Sequence, residues 1–212
     1  MSPPRPYEFD DEQEVINHLR GNGRKISEWF EHRESLDEAI RVAVGANVFR
    51  VFRNMPHKPS VVFRQWAFAE FTRKKTTNYL KAIRSKAAFD AWTSRLSKRF
   101  RETWFDKMDC RMPYGPSRKL PDLLLKRLTR WTDLTDSERM RLILNLNVPL
   151  DSYTLVGIRH CIHDLEIPRS ATMKFVAGEI MYDHIQPKIR RIAGKARVPA
   201  IYFDVLAWDM AH

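Results

Sequence analysis

The run Gly115-Pro116-Ser117-Arg118-Lys119-Leu120-Pro121-Asp122-Leu123-Leu124-Leu125-Lys126 punctuates this chain more sharply than any other. Glycine beside proline marks a tight turn, so residues 109–118 read as a loop with Lys119 directly behind it. Pro121 suits the first turn of the helix that follows, where a missing N–H costs nothing, and Leu125 and Leu128 give that helix its apolar face. Val148-Pro149-Leu150-Asp151 answers it later in the chain: a proline turn, then an aspartate at the apparent start of the next helix.

Outward from these two segments the apolar spacing is helical almost throughout. Asp10 and Asp11 precede Val15, Ile16 and Leu19, and Gly21 and Gly23 are read as the stop of that helix. Ser27 and Ser35 read as N-caps, the second within the capping box Ser35-Leu36-Asp37-Glu38. Residues 47–52 are the one stretch that reads as a strand, and Met55-Pro56-His57-Lys58-Pro59 is a break. Ser60 caps a helix carrying Val62, Trp66, Phe68 and Phe71. A long helical pattern follows between Thr76 and Met108, its aromatic stripe suited to a core and its basic residues to solvent or phosphate. Thr135-Asp136-Ser137-Glu138 opens a helix to Leu146, Asp151 one through Ile162, Ser170 one to about Arg191 with an interruption at Pro187, and Val198-Pro199 a last short one. The fold class expected is all-α: a flexible leader over residues 1–9, then lobes of roughly 10–108 and 109–212 with a cleft between them.

The 212 residues are 43% apolar, enough for a packed core. Lysine and arginine number 37 against 26 aspartates and glutamates, a net charge of +11 that favours phosphate-rich partners through counterion release. Two cysteines, Cys110 and Cys161, are too few for a disulfide framework, and no apolar run is long enough to span a bilayer, so a cytoplasmic protein without a membrane partner is expected. Walker, G-x-G-x-x-G and G-x-S-x-G patterns are missing, which disfavours phosphoryl transfer and serine hydrolysis. His160, Cys161 and His163 carry ligating atoms, but adjacent helical residues face different ways, and no metal is expected.

Taken alone, Lys119 reads as a loop lysine and Asp151 as a helix cap. Together they are an amine able to attack a carbon and a carboxylate able to stand beside a developing cation. That is the chemistry needed to break an N-glycosidic bond. Arg118 and the positive end of the following helix would favour the neutral, nucleophilic form of such an amine.

The Gly-Pro-Ser-Arg-Lys turn with its leucine-rich continuation resembles the hairpin and second helix of the helix-hairpin-helix DNA glycosylase superfamily. Val-Pro-Leu-Asp-Ser-Tyr-Thr-Leu is similar to that family's Pro-x-Asp segment. The long spacing between Lys119 and Asp151 is more like the archaeal 8-oxoguanine glycosylase/lyase branch. Val198-Pro199-Ala200-Ile201-Tyr202-Phe203-Asp204-Val205-Leu206-Ala207-Trp208 is similar to its C-terminal Pro…Asp-x-x-x-Trp segment. The resemblance runs from Gly115 to Trp208 and departs from the family in retaining only one hairpin glycine.

The resemblance implies a two-lobed glycosylase that flips an oxidised or otherwise altered purine out of duplex DNA. Lys119 would attack C1′, with Lys126 the fallback if the register differs, and Asp151 would stabilise the cationic state. Gly115, Ser117 and Arg118 would hold the DNA backbone. Asp204 would hydrogen-bond the base and Trp208 stack on it, with Gln65 and Trp66 as further base contacts from the N-terminal half. No cofactor is implied, the protein would work as a monomer, and excision would serve DNA repair or defence against modified phage DNA. Two alternatives stay open on the residues: a non-catalytic nucleic-acid-binding helical module, and a protein–protein adaptor whose charge is incidental.

Overall fold

The computed structural model describes residues 7–52 and 55–209 and is all-helical, with no β-strand among the described residues. Residues 1–6, most of the expected leader, lie outside them. The α-helices are α1 (Glu12–Trp29), α2 (Leu36–Val42), α3 (Pro59–Phe71), α4 (Lys74–Ala82), α5 (Lys86–Met108), α6 (Tyr114–Leu128), α7 (Asp136–Asn145), α8 (Ser152–Gly157), α9 (Glu179–Ala196) and α10 (Tyr202–Asp204). No described helix is long and apolar enough to cross a membrane.

Capping chemistry sets several boundaries where the sequence places them. Asp11 accepts from the Glu14 amide at 2.8 Å, Ser35 and Glu38 cap each other's backbone, and Glu138 reaches back to the Thr135 amide at 2.9 Å. Other expectations need correction. Gly21 and Gly23 do not end α1, because Val15, Ile16, Leu19 and Ile26 bury one continuous face across them. Ser27 is therefore inside the helix, its hydroxyl donating to the Arg24 carbonyl at 2.7 Å. Residues Ala46–Phe52 form a 3-10 helix instead of a strand, since no strand is there to pair with and the three-residue period buries Phe49 and Phe52. The helix expected behind a Ser60 cap begins two residues earlier, with Lys58 at the cap position and Pro59 where its absent N–H is harmless. The long pattern after Thr76 is two helices, because Ile83 turns extended and the Ser85 hydroxyl caps the Ala88 amide. The helix after Asp151 stops at Gly157, and the one expected from Ser170 is a 3-10 turn, Met173–Phe175, followed by α9 from Glu179.

The largest correction falls on residues 109–121. The loop ends at Pro113, and Gly115 to Lys119 is the opening of α6, with Pro121 inside it. Gly115 is explained by packing: a Cβ there would stand 1.8 Å from the Met173 carbonyl oxygen, so only glycine admits that backbone.

By contacts the chain divides into two units, though not as consecutive lobes. The first gathers residues 7–32, Tyr114–Lys119 and residues 146–209. Here α1 lies along α9, with the Glu12 carboxylate accepting from Arg191 Nη1 at 2.9 Å and Lys195 Nζ at 2.6 Å. That pairing and the apolar face of α1 are why the N-terminal helix joins the C-terminal ones. Tyr7 to Phe9, expected in the flexible leader, are packed down: Phe9 is fully buried against Phe203, and Glu8 pairs with Arg159 at 2.9 Å and Arg169 at 3.0 Å.

The second unit comprises Arg33–Pro113 and Leu120–Asn145. Its core is aromatic, with Trp66 4.5 Å from Phe100 and Phe52 4.8 Å from Trp104 between ring centres. Glu34 ties its ends together, exchanging backbone hydrogen bonds with Arg130 and Thr132 while its carboxylate pairs with Arg127 at 2.5 Å.

Candidate active site

Residues 147–151 run into α8 without regular structure and are all buried, so each backbone polar group there needs a partner. Thr154 supplies two of these. Its hydroxyl accepts from the Asp151 amide at 2.8 Å and donates to the Pro149 carbonyl at 2.9 Å. The Asp151 carboxylate returns the cap: Oδ1 accepts from the amides of Tyr153 at 2.9 Å and Thr154 at 3.1 Å. Capping uses one oxygen. The other, Oδ2, is 3.0 Å from Lys119 Nζ, with the lysine side chain 7% and the aspartate side chain 10% exposed.

Helix α6 brings the lysine to this place. Lys119 sits within the helix, about a turn and a half past Pro113, instead of at the exit of a hairpin. Three contacts of the first unit fix that opening segment: the Met173 carbonyl against Gly115, Tyr114 against Tyr182, and Arg118 over the Tyr182 ring at 4.4 Å. The two residues selected for complementary chemistry are thus in direct contact within one unit.

The structure also adds a residue the sequence reading passed over. Tyr153 follows Asp151 by two positions, and its ring meets Trp208 edge to face with centres 4.3 Å apart. Both side chains are half-exposed. Burial, then the nearby Asp151 charge, push the Tyr153 hydroxyl above its ordinary range. An aromatic two residues after an N-cap carries no periodic signal of its own, and only the distant Trp208 makes it informative. Asp204 is buried ahead of Trp208, and the helical turn expected between them is a π-turn, Val205–Asp209.

Other expected site residues are placed differently. Ser117 is fully buried and its hydroxyl donates to the Tyr114 carbonyl at 2.7 Å, while Gly115 is filled by the Met173 backbone. The segment expected to hold the DNA backbone is a packed helix start instead of a loop, with Arg118 itself buried. Trp66 is buried, packed against Phe63 and Phe100. Gln65 is exposed, beside a groove of about 430 Å³ between α3 and α5 whose floor includes Glu70 and Arg99. Lys126 is buried on the part of α6 that belongs to the second unit.

Among the described residues no group of three or more histidine, cysteine, aspartate or glutamate side chains is arranged to hold a metal ion. His160 stands 3.4 Å from the Glu8 carboxylate, and the Cys161 thiol is buried and pushed up to about 12. No protein-family model, curated protein or solved structure matches the chain.

Proposed function

We propose that the protein is a DNA N-glycosylase with lyase activity, acting on duplex DNA that carries an oxidised or otherwise altered purine. The observation that carries this reading is the contact of Lys119 Nζ with Asp151 Oδ2 at 3.0 Å, in a setting nearly closed to water. An ammonium within hydrogen-bond reach of a carboxylate can pass it a proton and become a nucleophile.

In the reaction so proposed, the neutral Lys119 amine attacks C1′ of the extruded nucleotide. The C1′–N bond to the base breaks, its electron pair leaves with the base, and the proton held on Asp151 is returned to that base. The carboxylate, ionised again, faces the cationic sugar as charge develops there. A second proton then moves from the lysine nitrogen to O4′, the C1′–O4′ bond opens, and an imine joins Lys119 to C1′. Loss of the C2′ proton to water forms the C2′–C3′ double bond as the 3′ phosphate departs with the C3′–O electron pair, which nicks the strand, and water hydrolyses the imine to release the lysine. The half-exposed Tyr153 and Trp208 offer ring faces beside Asp151 on which a base can stack, and the net charge of +11 supplies affinity for the backbone.

The test is borohydride trapping on duplexes containing 8-oxoguanine or an abasic site. Wild-type protein should form a covalent adduct and Lys119→Gln should not, with DNA affinity retained. Absence of an adduct with either duplex overturns the reading. A second reading is favoured by the same pair's burial, which makes it a clamp between α6 and α8 in a non-catalytic DNA-binding module. Both readings require affinity that falls steeply as salt rises, and only the first requires trapping.

A further inference from the structure

Gln186 lies on α9, far from Asp151 in sequence and buried, and it makes a paired contact with a single backbone unit. The Val148 amide donates to Gln186 Oε1 at 3.0 Å, and Gln186 Nε2 donates to the Val148 carbonyl at 2.8 Å. A primary amide presents a donor and an acceptor side by side and so satisfies the N–H and C=O of one residue together. One turn further along α9, Arg190 Nη2 donates to Asn147 Oδ1 at 3.3 Å.

We propose that Gln186 is a positioning residue for Asp151. It rests on the glycosylase reading above for its consequence in catalysis, though not for its effect on geometry. The segment that presents Asp151 is held at two points. Thr154 fixes it through the Asp151 amide and the Pro149 carbonyl, and Gln186 fixes it through both polar groups of Val148. The Pro149 nitrogen carries no hydrogen and donates no bond that could add a further hold. With Gln186 lost, Val148 keeps neither partner, and the segment can shift to find others. Asp151 Oδ1 must stay under the Tyr153 and Thr154 amides while Oδ2 stays on Lys119, so a shift of the segment separates carboxylate from amine.

The experiment compares Gln186→Met, Gln186→Glu and Arg190→Met with wild type by amide hydrogen exchange at Val148, Tyr153 and Thr154. In Gln186→Met, exchange should quicken at Val148 and also at the Tyr153 and Thr154 amides that report the Asp151 carboxylate, whereas Arg190→Met should leave those two unchanged. Gln186→Glu keeps the shape and supplies a second variant should Gln186→Met fail to fold. Its protonated carboxyl offers one donor and one acceptor, so protection at Tyr153 and Thr154 should return as pH falls and be lost as pH rises. Faster exchange confined to Val148, or pH-independent behaviour of Gln186→Glu, overturns the proposal. Borohydride trapping on abasic duplex is read in parallel, where a misplaced carboxylate should slow adduct formation about 10²-fold at unchanged DNA affinity. Failure of wild type to trap overturns the glycosylase reading alone. Wild-type trapping with an equal rate in Gln186→Met overturns the positioning role alone.

Discussion

Lys119 and Asp151 meet at 3.0 Å through Asp151 Oδ2, while Oδ1 of the same carboxylate caps α8 through the Tyr153 and Thr154 amides. Capping and pairing, which look like competing explanations of one aspartate, are met by its two different oxygens. Its orientation is therefore fixed from the backbone side whether or not the lysine is present.

Removing one member of this nearly buried pair leaves the other charge without its partner. Lys119→Met and Asp151→Asn should each lose about 3 kcal/mol of unfolding free energy, and the double variant should lose less than their sum. Urea denaturation of the four proteins measures this. Additive losses would show that the two charges are energetically independent.

Asp151→Asn keeps an oxygen for the cap and removes the proton acceptor, so its fold should survive while adduct formation on 8-oxoguanine duplex drops by about 10²-fold or more. Lys126→Gln should trap at the wild-type rate. Should Lys126→Gln abolish trapping and Lys119→Gln spare it, the nucleophile is the later lysine.

If a base stacks beside Asp151, Trp208→Ala should weaken binding of the modified duplex by about 1–3 kcal/mol. Tyr153→Ala should do the same, because its ring holds Trp208 edge to face. Equal losses on unmodified duplex, or a lowered melting temperature with unchanged affinity, would place both rings in structural packing only.

Gly115→Ala sets a methyl against the Met173 carbonyl, at a distance no relaxation of a side chain can relieve. The backbone of residues 173–176 or the start of α6 must move, and a loss of roughly 3 kcal/mol or more is expected. Scanning calorimetry checks it; a stabilised variant, as for an ordinary glycine in a helix, would contradict the close approach.

In the second unit, burial raises the Glu70 carboxyl, but hydrogen bonds from Arg99 and Thr76 and the charges of Arg99 and Arg73 outweigh it and hold it below its ordinary value. A carboxyl with a lowered folded value contributes stability above about pH 4.5 and loses it as pH falls through that lowered value. Unfolding free energy of Glu70→Gln should be lower than wild type at neutral pH and should decline less on acidification. Parallel acid limbs for the two proteins would refute this.

Sequence alone determined the helical class, the caps at Ser35 and Thr135, and the choice of Lys119 and Asp151. These rest on apolar periodicity, on capping bonds that span three or four residues, and on side-chain chemistry. Tertiary structure decided what local signals misstate. Gly21 and Gly23 look like a stop and Gly115-Pro116 like a turn. Buried faces outweigh the weak helix preference of the first two, and the Met173 backbone explains the third. Trp66 and Trp208 are the same residue type, yet Phe63 and Phe100 enclose one while the other stands half-exposed on Tyr153. The contact of Lys119 with Asp151 and the grip of Gln186 on Val148 join residues far apart along the chain. No local propensity encodes such pairs, because they depend on which buried faces the helices find when they pack.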